Sequence, residues 1–171
     1  MALSFCQNSC YRPAMTRRFL MHALGLVGLL AVDRWLKSLA LSGRTVEWPV
    51  GRFVLVKNEG AVFSWPLPSN VALVIMTLAI VVLAYYGLRL WRRREYLRYF
   101  GVLFMIAGAA SNLHDRLTYG FVIDWAYLGP WWPVFNLADV MIGVGVVVLV
   151  WPKPGHSKAE LSIIDKTSKG V

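Results

Sequence analysis

The sequence predicts an all-α integral membrane protein: four transmembrane helices, a small β-platform outside the cytoplasm, and an interfacial segment between spans three and four. Three observations carry this. The 171 residues are 57% hydrophobic and only 16% charged, where soluble domains carry roughly a quarter charged residues; the mean hydropathy is +0.53. Several apolar runs are long enough to cross a bilayer. The basic residues are segregated between and beyond those runs, at Arg12, Arg17 and Arg18, from Arg89 to Arg98, and from Lys153 to Lys169. A net charge of +9 distributed in this way reads as membrane topology rather than as a nucleic-acid surface. Eight Trp and seven Tyr suit the headgroup belts of such a protein.

The chain reads as one membrane domain over residues 1–171. Residues 1–16 form a cytoplasmic tail, and its Cys6 and Cys10 stay reduced there with no assigned role. The first span covers about 19–41. A secretory signal is rejected, because the run is too long, contains Asp33, Arg34 and Lys37, and meets no small-residue cleavage site. Asp33 and Lys37 are four apart and share a helix face; the plain reading is an ion pair with Lys37 snorkelling outward.

Residues 42–69 form a loop. Thr45 to Lys57 is β-branched and aromatic with Pro49 and Gly51 as punctuation, which predicts two short strands and a turn. Asn58 and Gly60 follow, a turn by local pattern. The second span, about 70–90, closes on Arg89, Arg92, Arg93 and Arg94. That cluster places the following loop in the cytoplasm, and the basic termini with it. The third span, about 99–113, carries Gly101, Ala107, Gly108 and Ser111, small residues that let helices approach. Asn112 to Arg116 ends it at the opposite surface, Asp115 balancing Arg116. Arg116 is either a snorkelling anchor or a positive group that orients a carboxylate or carbonyl. Loop 114–133 holds Asp124 in Phe121-Val-Ile-Asp-Trp125, lying along the interface. The fourth span, about 134–151, opens on Phe135-Asn-Leu-Ala-Asp139, with Asp139 in its first turn. Residues 153–171 form a second cytoplasmic tail.

No zinc-protease motif, nucleophile elbow or phosphate loop is present in the sequence. Asp124 and Asp139 remain. Two carboxylates held close together cannot both ionise easily, so one keeps a proton and the pair can work as acid and base. The alternative from residues alone is two unrelated, locally neutralised aspartates.

These elements resemble the lipoprotein signal peptidases (signal peptidase II), a family of bacterial inner-membrane aspartic endopeptidases. The resemblance lies in Asp33-Arg-Trp-Leu-Lys37, Asn58-Glu-Gly-Ala-Val-Phe63, Gly108-Ala-Ala-Ser-Asn112 with Asp115-Arg116, Val122-Ile-Asp124 and Phe135-Asn-Leu-Ala-Asp139. It implies that Asp124 and Asp139 are catalytic. It implies that Asn58, Gly60, Ala61, Gly108, Asn112, Arg116, Asn136 and Ala138 position the dyad or the substrate, and that Asp33 and Lys37 brace the architecture. The implied partners are a diacylglyceryl-modified prolipoprotein, cut before its lipidated Cys, and membrane lipid. The resemblance likewise implies no metal or organic cofactor. The protein is expected to be a monomer with its site at the periplasmic surface beneath the β-platform. Arg34, where the family usually has Gln, and Ala107, Ser111 and Val62 depart from its pattern. The rival classes are a small transporter or proton relay, which would spread its ionisable groups through the bilayer depth, and a catalytically silent membrane scaffold.

Overall fold

A computed structural model describes residues 7–60 and 68–152. Four helices are present there: α1 (Gln7–Leu41), α2 (Ser69–Arg92), α3 (Tyr96–Tyr119) and α4 (Leu137–Val150). Three strands accompany them: β1 (Val46–Trp48), β2 (Gly51–Asn58) and β3 (Val122–Tyr127). Ala61, Val62, Cys6 and the 153–171 tail lie outside the described residues.

The helices follow from long apolar runs without interior breakers, and their faces are inverted relative to a soluble bundle. Leu20, Leu24, Val27, Val74, Leu78 and Val81 are exposed, while Asp33, Lys37, Asp115 and Asn136 are almost wholly buried. Outward apolar and inward polar surface is what a hydrocarbon solvent selects. Phe19–Leu41 and Ser69–Arg92 are long and apolar enough to cross a membrane, and α4 is a shorter apolar helix of 14 residues. The first helix starts at Gln7, so residues 7–16, expected as tail, continue it.

One expectation about the third span is corrected. The span runs to Tyr119, so Asn112 and Arg116 lie within the helix instead of ending it. Its last turns are closed by Gly120 at φ 82°, whose N–H donates to the Arg116 carbonyl, the left-handed cap that glycine adopts without steric cost. Helix α3 packs between α2 and α4. A Cβ on Gly108 would meet the Ala138 carbonyl and lie 2.8 Å from Ile142 Cγ1. Glycine here sets how closely α3 and α4 approach.

The segment around Asp124, expected to lie along the interface, is a strand. The sheet has the order β1-β2-β3, antiparallel throughout. β3 has no local signature: it is mostly buried and pairs with residues more than sixty positions earlier, so it shows neither alternation nor a local hairpin partner. Across β2 and β3, Val56 pairs with Asp124 and Asn58 with Val122. Asn58 and Asp124 are therefore diagonal neighbours on one face. The other edge of β3 is clipped to the start of α4: Phe135 and Ala126 exchange backbone bonds of 3.2 and 2.8 Å.

At the far end, Phe19 of α1 packs on Trp91 and Phe100, with ring centroids 4.9 and 5.0 Å away. The chain directions thus put the arginine-rich α2–α3 turn at one end of the bundle and the buried polar cluster at the other.

Candidate active site

The polar cluster is built from one face of α3. Gly108, Ser111, Asn112, Asp115 and Arg116 are all buried and follow the helical repeat of three and four residues. α1 brings Asp33 and Lys37, α4 brings Asn136 and Asp139, and the sheet brings Asn58 and Asp124.

Asn136 joins the two aspartates. It is the N-cap of α4, its Oδ1 accepting from the Asp139 backbone N–H at 3.0 Å while Asp139 Oδ2 accepts from the Asn136 N–H at 3.1 Å. This reciprocal capping box fixes the amide. With Oδ1 committed to a backbone donor, Nδ2 must face the other way, and it donates to Asp124 Oδ1 at 2.7 Å. Asn58 Nδ2 donates to the second Asp124 oxygen at 2.9 Å. Asn112 Nδ2 donates to Asp139 Oδ1 at 2.8 Å, and Asn112 Oδ1 accepts from Asn136 at 3.2 Å. Each carboxylate therefore accepts from two fixed donors, and one residue ties the two together. Asp124 is 2% exposed; Asp139 is only half-buried, so it forms the open side of the pair.

Burial drives the Asp124 carboxyl up to about 7; the negative charge of Asp139 adds to this, and the Asn58 and Asn136 hydrogen bonds and Lys37 oppose it. For an acid raised in the fold, the protonated form is favoured, so this contribution to stability is present at low pH and is lost as pH rises towards 7. If the chemistry needs that proton, activity falls above neutrality. The expected kcat/KM profile has an alkaline limb centred near the value of about 7 for Asp124. Asn58→Ala removes a bond to the charged form and moves the limb to higher pH; a limb that stays in place would assign it to another group.

The remaining residues are placed as follows. Lys37 does not snorkel. It is 1% exposed and reaches Asp115 Oδ2 at 2.7 Å, Asp33 Oδ2 at 3.1 Å and Asn112 Oδ1 at 2.9 Å. Asp115 makes its salt bridges with Lys37 and Arg34 and accepts from the Ile123 N–H at 3.3 Å, and it acts on Arg116 only through its charge. Arg116 orients carbonyls: Nη1 donates to Glu59 O at 3.2 Å and Nη2 to Gly60 O, holding the turn that directly follows Asn58 at the end of β2. The Ala138 N–H donates to Asp33 Oδ1 at 3.1 Å. Sequence reasoning left Arg34, Ser111 and Asp115 outside this network. The available signal was the shared spacing of Asp33 and Lys37 with Ser111 and Asp115, each pair four apart on its helix. Among the described residues no group of His, Cys, Asp and Glu is arranged to hold a metal ion.

An outward-apolar helical bundle with a small sheet, and a buried polar cluster holding two aspartates, define the class as a membrane protein with a paired-carboxylate centre. Comparison with known proteins narrows this. The model of the signal peptidase (SPase) II family matches residues 26–152. The lipoprotein signal peptidase of Bartonella quintana (strain Toulouse) is 33% identical over 169 residues, covering 86% of this chain and 99% of its own. That of Clostridium novyi (strain NT) is 31% identical over 140 residues, covering 75% and 94%. A solved bacterial membrane enzyme, determined by the in meso method at 2.3 Å, superposes with a TM-score of 0.64 at 18% identity, covering 86% of this chain and 90% of its own; it shares the fold. This chain belongs to the signal peptidase II family, and is an integral protein of the bacterial inner membrane.

Proposed function

We propose that the protein is an aspartic endopeptidase that removes the signal peptide from diacylglyceryl-modified prolipoproteins, cutting before the lipidated Cys. Asn136 carries the reading: its hydrogen bonds to both Asp124 and Asp139 bring two carboxylates from distant segments under one set of donors. Family membership and the names of the similar proteins supply the substrate class.

In this mechanism Asp124 holds a proton and Asp139 is ionised. Asp139 takes a proton from water as the water oxygen attacks the scissile carbonyl carbon, and Asp124 gives its proton to the carbonyl oxygen. The tetrahedral diol returns a proton to Asp124 as it collapses. The C–N bond breaks, and the leaving amine takes the proton from Asp139. Among the described residues Asn58 Oδ1 is buried without a partner, an acceptor suited to a substrate N–H. A substrate whose apolar helix lies in the bilayer and whose lipid lies in the outer half reaches such a site without moving either part far. The arginine-rich turn and both termini are cytoplasmic in this arrangement, by the positive-inside rule, and the dyad faces the periplasm. The protein works as a monomer with no cofactor.

The test uses purified protein in detergent and a lipobox substrate with and without its diacylglyceryl group. Release of signal peptide from the lipidated form alone is the expected result. A folded protein that cuts neither form sinks the reading in favour of a silent scaffold.

A further inference from the structure

The ion cluster beside the dyad contains a pair of residues that the mechanism does not use. Arg34 Nη2 donates to Asp115 Oδ1 at 2.7 Å and to Ser111 Oγ at 2.9 Å, with Asp33 Oδ2 at 3.3 Å. Ser111 gives its single hydroxyl proton to Asp33 Oδ2 at 2.5 Å and accepts from Arg34 and, at 3.3 Å, from Lys37. Two fully buried carboxylates, Asp33 and Asp115, thus face two cations and one hydroxyl.

The charge count decides where Lys37 points. An ammonium has three protons and no acceptor. With Arg34 sharing both carboxylates, Lys37 keeps one proton for Asn112 Oδ1 at 2.9 Å. That donor-only contact turns the Asn112 oxygen towards α1 and its Nδ2 towards Asp139 Oδ1, 2.8 Å away. Without Arg34, two buried carboxylates would compete for one ammonium, drawing it off Asn112 and leaving the Asn112 oxygen held only by the longer bond from Asn136 Nδ2 at 3.2 Å.

We infer that Arg34 and Ser111 act as a positioning pair for the reaction, holding Asp33 and Asp115 so that Lys37 can orient Asn112 against Asp139. The inference rests on the peptidase reading above. Neither residue touches the reacting atoms. The charged groups around the dyad are Asp33, Arg34 and Lys37 from α1 and Asp115 and Arg116 from α3, with Arg34 and Asp115 paired in the ion cluster behind it; β2 presents the neutral amide of Asn58. Loss of Arg34 takes one positive charge from this set, which raises the proton affinity of a neighbouring carboxylate.

The experiment measures kcat, KM and the pH profile of the full chain in detergent on the diacylglyceryl lipobox substrate. The proteins are the parent, Arg34→Gln, Arg34→Lys and Ser111→Ala, each normalised to folded enzyme. Arg34→Gln is expected to lower kcat roughly tenfold, the scale of a small misplacement, with KM unchanged and the alkaline limb moved to higher pH. Arg34→Lys restores the charge and returns the limb to its parent position. Ser111→Ala lowers kcat with the limb in place, because no charge is lost. A purely structural role would lower the melting temperature while leaving kcat and the limb untouched, and that result overturns the inference. If Arg34→Gln does not fold, parent-like kcat in both Arg34→Lys and Ser111→Ala overturns it equally. An inactive parent refutes the peptidase reading itself, a different result from an active parent with indifferent variants.

Discussion

Asp124→Asn and Asp139→Asn are each expected to abolish cleavage, with kcat falling on the order of 10⁴-fold, the scale set by removing a member of a unit that acts together. The isosteric change is more disruptive here than its shape suggests. Both oxygens of Asp124 accept, one from Asn136 and one from Asn58. An amide at position 124 must turn its own NH2 against one of those donors. The same holds at position 139, between Asn112 Nδ2 and the Asn136 N–H. Neither variant can hold the shared proton that acid–base chemistry needs. The measurement is signal-peptide release by gel shift, with folding followed by melting temperature in the same detergent. Measurable turnover by either folded variant at a tenth of the parent rate would remove that aspartate from the mechanism.

Asn136→Ala is expected to have the second-largest effect, because it removes three functions at once. The N-cap of α4 goes, at a cost of about 1 kcal/mol. The donors to Asp124 and Asn112 go with it, and so does the link that orients the two carboxylates together. Activity should fall about 100-fold from the misplacement alone. Asn136→Ser separates these functions. Serine caps a helix well but is too short to bridge to Asp124. Its melting temperature should stay near the parent value while kcat falls as in Asn136→Ala. Parent-like kcat in Asn136→Ser would show that the bridge is not needed.

The two aspartates are legible as candidates because a carboxylate in an apolar setting is costly in a membrane and calls for a partner. Their setting is less legible. Asn58 reads locally as a turn residue, and its approach to Asp124 depends on the β2–β3 register. In the sequence Arg34 shows only as a departure from the family pattern, and Asp115 as a charge that balances Arg116. The structure instead pairs them with each other at 2.7 Å, because α1 and α3 bring their polar faces together inside the bundle.

By itself the sequence determined the membrane class, the helical runs, the segregation of basic residues and the order of the five motif elements. Each of these is a property of composition or of local spacing, which a chain carries before it folds. Only the tertiary structure decided that Asp124 sits on a strand, that the end of α3 lies inside the cluster, and that Lys37 faces inward. It also decided which donor each carboxylate oxygen receives. These outcomes depend on pairings between residues as far apart as Asp33 and Ala138, whose contact at 3.1 Å has no local signature. A buried charge accepts whichever partner the packing delivers, so its partner is fixed by the fold rather than by its neighbours in the chain.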